Sequence, residues 1–364
     1  MIKTEFTELV GTKHPIIQAG MGPYSTNMLA RAVAKAGGLG TISGVGMAIG
    51  IPGIEQVLPG MAAEVFGKGT PEERMRAALE VAKEDTKGSK GVLAINVPVS
   101  AEFLQAAKRL ITSAVDARKE DPEIEERFRV IITSAGNPTP WGEVIKKSGA
   151  IWAHVCPSVY HAKKAEKAGA DFVIASGHEG GMHISWDPVH SMVLLPAVCE
   201  AVKVPVVGAG GYCDGKSLVA ALSLGGCGIQ MGTRMIATQE SDFVDMWKEY
   251  IVECGDRDSI ATRAMFGPGR YLKSDASMNI ARATIEQCPQ MFLGEPVPML
   301  KGKALTVELK GFEGLLTGDK QKSVFAGGEV AGRIWAIPTV KELIDEIMNE
   351  AEEIIQKRLP GTMT

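Results

Sequence analysis

The sequence lacks several features that would assign it to large classes of proteins. It contains no CxxC pair, and its six cysteines are scattered, which indicates neither a disulfide framework nor a structural zinc site. No uninterrupted apolar run reaches the ~18 residues of a membrane-spanning helix, and the N-terminus lacks the apolar segment of a signal peptide. The net charge of −4 provides no strong field for nucleic acid or anionic lipid. We therefore expect a cytoplasmic protein that acts on a small molecule, without a nucleic-acid or membrane partner.

Metal-binding patterns are also missing. Nothing resembles HExxH or a cluster of Asp and Glu residues, so we predict no metal site. The 364 residues, 45% of them hydrophobic, are enough for one large core with an appended subdomain or for two ordinary domains.

A local pattern recurs along the chain: an Ala/Lys-rich helical stretch, a glycine, and then a short apolar run. It reads AVAKAGGLGTIS, VIKKSGAIWAHV, KKAEKAGADFVIAS and VAALSLGGCGIQMG. Each copy predicts a helix that ends at a left-handed glycine (Gly37, Gly149, Gly169 or Gly225) and is followed by a buried parallel strand. Repetition of this unit is typical of a parallel α/β fold, either doubly wound or a barrel.

The number of predicted strands favours a (β/α)₈ TIM barrel. A doubly wound sheet would carry G-x-G-x-x-G after its first strand, whereas here that strand continues into Gln18-Ala-Gly-Met-Gly22. Eight strands ending near Gly232 are the number of a closed barrel. The predicted strands are Ile16–Ala19, Leu39–Ser43, Val92–Val97, Val130–Ser134, Ile151–Cys156, Phe172–Ser176, Val204–Ala209 and Gly228–Gly232.

Two segments lie outside a minimal barrel. We predict a barrel over residues 1–233, with a helical excursion at 44–90 after the second strand. Residues 234–364 are predicted to form a helical and irregular C-terminal subdomain, or lid, packed on the barrel. Its last helix, from Thr339 to about Arg358, carries an apolar stripe that packs against the barrel or, alternatively, forms a homodimer seam. The stripe comprises Val340, Leu343, Ile344, Ile347, Ala351, Ile354 and Ile355.

Two glycine-containing loops follow the seventh and eighth strands, where barrels often bind phosphate. They read Gly208-Ala-Gly-Gly211 and Gln230-Met-Gly-Thr233. Glycine lets backbone N–H groups approach a phosphate closely, and Thr233 adds a hydroxyl donor. The loops are interpreted as a phosphate site, the alternative being ordinary tight turns.

The sixth strand ends in a polar loop, Ser176-Gly-His-Glu-Gly-Gly-Met-His-Ile-Ser185. Histidine exchanges protons near neutral pH, so His183 is a candidate for catalysis or substrate contact. Glu179 is a candidate for orienting it, and His178 either contributes to the site or only hydrogen-bonds the loop. His154 lies on a strand and is interpreted as structural.

The motifs taken together resemble a known superfamily. PIIQAGMG, AGGLGTIS, the Asn of AINVPVS, GHEGGMH, PVVGAGG and QMGTRM occur in the order found in nitronate monooxygenases, formerly called 2-nitropropane dioxygenases. They equally resemble the FMN-dependent enoyl-acyl-carrier-protein reductases of the same superfamily. PSVYHAKKAEKAGADFVIASG, FGPGRYLKS and AGGEVAGRI resemble the reductase branch.

The resemblance implies FMN and assigns residues to it. Its phosphate would bind at Gly210, Gly211, Gly232 and Thr233. Further cofactor contacts implied by the family are Ala19, Gly20, Met21, Asn96, Ser176, Gly181 and Gln230. His183 matches the histidine of the family's E-x-G-G-H loop, the general base of nitronate monooxygenases. His178, Glu179 and Met182 are candidates for substrate contact or support, and Met182 stands where the family usually has glycine.

The leading hypothesis is therefore an FMN-dependent oxidoreductase that oxidises alkyl nitronates with O₂. The alternative is a reductase that takes hydride from NAD(P)H and passes it to an enoyl thioester, another activated alkene or a quinone. A non-redox sugar-phosphate barrel would use the same phosphate loops without flavin. A cofactor-binding protein without turnover would leave the polar strand-six loop unexplained.

Overall fold

The computed structural model describes most of the chain, namely residues 2–48, 69–302, 307–308, 310–312, 314–315 and 318–362. The central part of the predicted excursion, residues 49–68, lies outside the described residues.

The predicted eight-stranded barrel is confirmed. Its parallel strands close on themselves through pairing of the first with the last, with Ile17 opposite Gln230. Their inward- and outward-facing side chains are almost all buried, as expected of a sheet covered by helices. In chain order the barrel strands are β1 (Ile16–Gln18), β2 (Leu39–Ser43), β3 (Val92–Pro98), β4 (Phe128–Ser134), β5 (Ile151–Cys156), β6 (Phe172–Ser176), β8 (Val206–Ala209) and β9 (Ile229–Met231), and β7 (Met182–His183) lies outside the barrel.

Helices connect the strands and form the outer layer. The four glycines predicted to follow helices have φ values of +93° (Gly37), +74° (Gly149), +97° (Gly169) and +91° (Gly225), which is the left-handed conformation that glycine adopts without strain. The described helices are α1 (Glu5–Val10), α2 (Asn27–Lys35), α3 (Gly44–Ala48), α4 (Pro71–Asp85), α5 (Leu104–Glu120), α6 (Pro122–Arg127), α7 (Gly142–Lys146), α8 (Val159–Lys167), α9 (Ser191–Ala201), α10 (Gly215–Ser223), α11 (Thr233–Ile236), α12 (Asp245–Glu253), α13 (Asp275–Gln287) and α14 (Val340–Glu353).

The last helix, α14, belongs to the outer layer of the barrel. It packs against α10 and α2, and a Cβ added to Gly215 would lie 2.7 Å from the carbonyl oxygen of Ile347. Its apolar stripe is buried in the main core, apart from Ile355, which is 39% exposed. The stripe therefore packs against the barrel, and it provides no argument for a homodimer seam. The predicted domain boundary at residue 233 would place α14 outside the barrel domain. In the structure, however, α14 completes the outer helical layer of the barrel.

A small antiparallel sheet contains three strands from beyond residue 233, where the sequence predicts helices and irregular structure. It consists of β10 (Ser259–Ala264), β11 (Gly267–Leu272), β12 (Phe325–Ala326) and β7. Because β7 pairs with β11, the loop after β6 is joined to the C-terminal part of the chain. These strands are short and lie in a segment whose sequence is irregular and rich in Gly and Pro. The alternation of apolar and polar residues that predicts a strand is therefore too weak to recognise there. In the described part of the chain, no helix combines the length and the apolar character needed to cross a bilayer.

Candidate functional site

The carboxyl ends of the barrel strands open into a cavity of about 1030 Å³. Every predicted site residue except His178 lines this cavity. The lining residues that the sequence analysis named are Ala19, Gly20, Met21, Asn96, Ser176, Glu179, Gly181, Met182, His183, Gly210, Gly211, Gln230, Gly232 and Thr233. The structure thus brings together residues in β7 and at the ends of β1, β3, β6, β8 and β9.

One wall of the cavity, after β8 and β9, could hold a phosphate-bearing group. Gly210 and Gly211 both have φ of +86°, and a Cβ on Gly210 would lie 2.7 Å from the carbonyl oxygen of Gly177. Only glycine fits there, and its backbone remains open to a ligand. The hydroxyl of Thr233 accepts the N–H of Gly328 at 2.9 Å and can donate its own proton to a ligand. These features fit the phosphate of FMN.

The opposite part of the cavity floor is polar at the end of β3. The amide nitrogen of Asn96 donates to Ser134 Oγ at 3.3 Å, and the residue is 5% exposed. A Cβ on Gly20 would lie 2.4 Å from the Cβ of Asn96, so Gly20 leaves the space in which Asn96 stands. The placement of both residues fits contacts to the ring or ribityl part of a flavin.

His183 is positioned by the small sheet. Its backbone pairs with Gly269 on β11, and the next residue, Ile184, donates its N–H to the carbonyl of Pro268 at 3.1 Å. The imidazole is exposed to the cavity, with its centre 6.4 Å from the ring centre of Phe266. Met182, immediately before it, has φ of +56°, an uncommon conformation for a residue with a side chain.

Glu179 does not orient His183 as we expected from the sequence. Its carboxylate accepts the backbone N–H of Ser191 at 2.9 and 3.0 Å and the hydroxyl of the same residue at 3.1 Å. Ser191 is the first residue of α9, where unpaired N–H groups attract a carboxylate. Glu179 therefore ties the strand-six loop to α9.

His178 lies behind the loop rather than in the cavity. Its Nδ1 is 3.2 Å from Nη2 of Arg270, which also donates to the His178 carbonyl. Burial, the charge of Arg270 and the neighbouring His190 lower the pKa of His178 to about 4. The ring is neutral at neutral pH. The sequence predicts that His178 either contributes to the site or hydrogen-bonds the loop, and the structure supports the loop hydrogen bond.

The cavity also contains polar residues that the sequence analysis did not name as site residues. Glu308 is buried and accepts the Tyr271 hydroxyl at 2.5 Å and the Met265 N–H at 2.6 Å, and burial raises its pKa. Arg263 lies 5.3 Å from the centre of the Trp186 ring. His161 and Lys164 line the cavity from α8. No quoted motif contains Glu308 or Arg263, and the segment PSVYHAKKAEKAGADFVIASG, which contains His161 and Lys164, does not indicate that they face the cavity. Only their meeting in space identifies these residues.

His154 lines the same cavity and is held as a neutral ring. It is 1% exposed, and its Nδ1 is 2.8 Å from Thr133 Oγ1. Burial lowers its pKa to about 4. Over the residues that the structure describes, no group of three or more His, Cys, Asp or Glu side chains could hold a metal ion.

Comparison with known proteins agrees with this arrangement. The family profile described as nitronate monooxygenase matches residues 3–350. A (3aS,4S,5R,7aS)-5-hydroxy-7a-methyl-1-oxo-octahydro-1H-indene-4-carboxyl-CoA dehydrogenase of Rhodococcus jostii (strain RHA1) is 30% identical, with 96% of each chain covered. A probable nitronate monooxygenase of Staphylococcus saprophyticus is 30% identical over 75% of this chain and 79% of the relative.

Among solved structures, FabK from Thermotoga maritima is similar over 100% of both chains, with 30% identity and a TM-score of 0.79. The profile match extends from α1 to α14 and includes every barrel strand and β7. The chain is an oxidoreductase-type TIM barrel that belongs to the nitronate monooxygenase family.

Proposed function

We propose that the chain is an FMN-dependent oxidoreductase in which His183 exchanges a proton with the substrate carbon that reacts. The observation that carries the proposal is that one cavity holds both the glycine-lined wall after β8 and β9 and the imidazole of His183. When bound, FMN supplies the transfer of electrons that no protein side chain here provides.

The chain's own residues have separate tasks in this proposal. Gly210, Gly211 and Thr233 bind the phosphate through N–H and hydroxyl groups, and Asn96 offers amide groups to the flavin. His183 holds or removes a proton at the carbon next to an electron-withdrawing group of the substrate. An imidazole suits this task because its unperturbed pKa lies near neutral pH.

An acyl thioester is the substrate class favoured by the size of the site. The cavity of about 1030 Å³ is at the upper end of the range for ligand pockets, ~300–1,000 Å³, and so offers room for FMN and a second, bulky ligand. The R. jostii relative, named for a carboxyl-CoA substrate, matches 96% of this chain, whereas the S. saprophyticus relative matches 75%. In the reducing direction, NAD(P)H would serve as the electron donor.

Oxidation of an alkyl nitronate with O₂ is the second candidate activity. The profile match over residues 3–350 favours it, as does the position of His183, because removing a proton from a nitroalkane produces the nitronate. A nitronate is small, so this activity would leave much of the cavity to solvent.

Anaerobic mixing of the purified yellow protein tests both candidates. We would add NADH, NADPH, an alkyl nitronate or a saturated acyl-CoA separately, add an enoyl-CoA to protein already reduced by NAD(P)H, and follow the visible absorbance of oxidised flavin. Bleaching by NAD(P)H with reoxidation by the enoyl-CoA, or bleaching by the saturated acyl-CoA, supports a thioester. Bleaching by the nitronate alone supports the monooxygenase, and protein that purifies without flavin contradicts the proposal.

A further inference from the structure

The cavity has a second region suited to an anion, away from the glycine-lined wall. After β5, the chain enters α8, and His161 and Lys164 on this helix line the cavity together with Ser158. In the strand order of the barrel, β5 is separated from β8 by β6 and from β9 by two strands. The α8 region and the glycine-lined wall are therefore distinct parts of the cavity rim.

The side chain of Lys164 is directed to the cavity, unlike its neighbours. Lys164 is half-buried among the lining residues, whereas Lys163 and Lys167 on the same helix are exposed and do not line the cavity. A lysine that buries its methylene stem keeps its ammonium group at the accessible end. Lys164 is thus the lysine of α8 that a ligand in the cavity would meet.

His161 stands one turn earlier on the same face of α8. Its Nδ1 is 2.8 Å from Ser158 Oγ, which fixes the ring. Burial and the positive charge of Lys164 lower the pKa of His161. The spacing of three residues places both side chains on neighbouring turns of the same helix face.

The local positive charge is not balanced within the described residues. None of the ion pairs found there includes Lys164. The acidic residue nearest to it in sequence on α8, Glu166, accepts the N–H groups of Lys203 and Val204 instead. The carboxylate of Asp171 pairs with Lys146.

We propose that Lys164 and His161 form a second anion subsite, which binds a phosphate group of the ligand that reacts with the cofactor. The glycine-lined wall accommodates the single phosphate of FMN, so a further phosphate-binding position serves a different molecule. This inference rests on the proposed function, because it takes the second ligand to be a phosphate-bearing nucleotide. Coenzyme A thioesters and NAD(P)H share that chemistry.

The test measures binding to the oxidised holoenzyme without turnover. Coenzyme A and NADP⁺ carry the phosphates but do not reduce oxidised flavin, and pantetheine carries the thiol arm of coenzyme A without them. Dissociation constants from calorimetry would be compared for the unaltered protein, Lys164→Ala, Lys164→Gln and the matched control Lys167→Ala. Circular dichroism and flavin content would identify a misfolded variant.

We expect Lys164→Ala and Lys164→Gln to weaken binding of coenzyme A or NADP⁺ about ten-fold, as for a lost charged hydrogen bond. Lys167→Ala would leave both constants unchanged, and pantetheine would bind equally to all variants. The nucleotide that responds identifies the source of the phosphate. Unchanged constants in both Lys164 variants, or no binding of either nucleotide to the unaltered protein, would overturn the subsite.

The outcome also separates this inference from the proposed function. If coenzyme A binding depends on Lys164 but no acyl-CoA reacts with the flavin, the subsite stands and the thioester substrate is wrong. If an acyl-CoA reacts and the Lys164 variants bind both coenzyme A and NADP⁺ normally, the substrate stands and the subsite is wrong.

Discussion

Met182 combines a bulky side chain with a left-handed backbone at φ of +56°, directly before His183. Such a conformation costs a non-glycine residue roughly 1–2 kcal/mol, and the residue persists here because β7 is paired with β11. Its side chain lines the cavity and packs on the C-terminal core. The residue thus occupies space next to the proposed proton-transfer group where the resembled families usually have glycine.

We expect Met182→Gly to enlarge the substrate space with little effect on stability, since relief of strain and loss of packing oppose each other. The KM for a branched substrate should fall several-fold while kcat changes less. Met182→Leu, which keeps the bulk and the strain, is the control. Steady-state kinetics with a short and a branched substrate measures the effect, and equal KM changes for both substrates would contradict it.

His183 is the residue whose substitution tests proton transfer. His183→Asn keeps a polar group but removes a base near neutral pH, so turnover of a neutral nitroalkane or of a saturated thioester should fall by ~10²–10⁴-fold. A preformed nitronate has already lost its proton and should lose much less. His178→Asn, outside the cavity, is the comparison. Equal losses for the nitroalkane and its nitronate would indicate that His183 positions the substrate instead.

A negative charge introduced at Gly232 tests whether the glycine-lined wall binds the phosphate. A Cβ there would lie 3.3 Å from Met21 Sδ, which a small movement of the flexible methionine accommodates, and 3.7 Å from Ala19 Cβ, an ordinary contact. Gly232→Ala should therefore keep FMN, whereas Gly232→Asp adds a like charge beside the phosphate and should weaken FMN binding roughly a hundredfold. Flavin content after dialysis measures this. Full retention of FMN by Gly232→Asp would place the phosphate elsewhere.

At the scale of elements, two long-range pairings organise the site. Strand β11 pairs with β7 and carries Arg270, which contacts both His178 and Glu329. Gly328, next to Glu329, donates to Thr233 at the glycine-lined wall. The C-terminal part of the chain is consequently attached at both the proton-transfer side and the phosphate side of the cavity.

Helix α14 provides a stability test of the completed barrel layer. Ile344 is fully buried, whereas Ile355, in the π-helical turn that follows α14, is 39% exposed. Ile344→Ala should lower the free energy of unfolding by about 2–4 kcal/mol because it leaves a cavity in the core. Ile355→Ala should change it by less than about 0.5 kcal/mol. Urea unfolding of both variants compares them, and similar small losses would mean that α14 is only loosely attached.

For the whole molecule, buried histidines predict a loss of stability in acid. The pKa of His154 falls from 6.5 to about 4 on folding because the ring is buried. Between these values the unfolded chain binds the proton and the folded one does not, so stability falls as the pH drops from 6.5 to 4. The shift corresponds to roughly 3 kcal/mol for this residue.

Substituting His154 should therefore reduce the acid sensitivity. His154→Gln removes the titrating group, and its free energy of unfolding should fall less between pH 7.5 and pH 4.5 than that of the unaltered protein. Since glutamine also disturbs the bond to Thr133, the informative quantity is the difference between the two pH values within each protein. An equal fall in both proteins would show that His154 is not responsible.

Much of the barrel was predictable because its signals are local. A helix that ends at a left-handed glycine and is followed by an apolar strand is specified by a dozen adjacent residues, as at Gly37 and Gly169. The glycine loops at Gly210 and Gly232 follow from the same local chemistry, and so does the histidine at position 183. All eight barrel strands therefore begin and end within two residues of the predicted positions.

The features that only the tertiary structure determined depend on contacts between residues that are distant in the chain. His183 and Gly269 are far apart in the chain yet pair in one sheet, and α14 joins α2 across nearly the whole sequence. The position of Lys164 at the cavity likewise depends on tertiary packing, because the sequence around a lysine on an amphipathic helix does not indicate what its side chain faces. Side-chain periodicity specifies which face of an element is buried, whereas the partner of that face is set by packing.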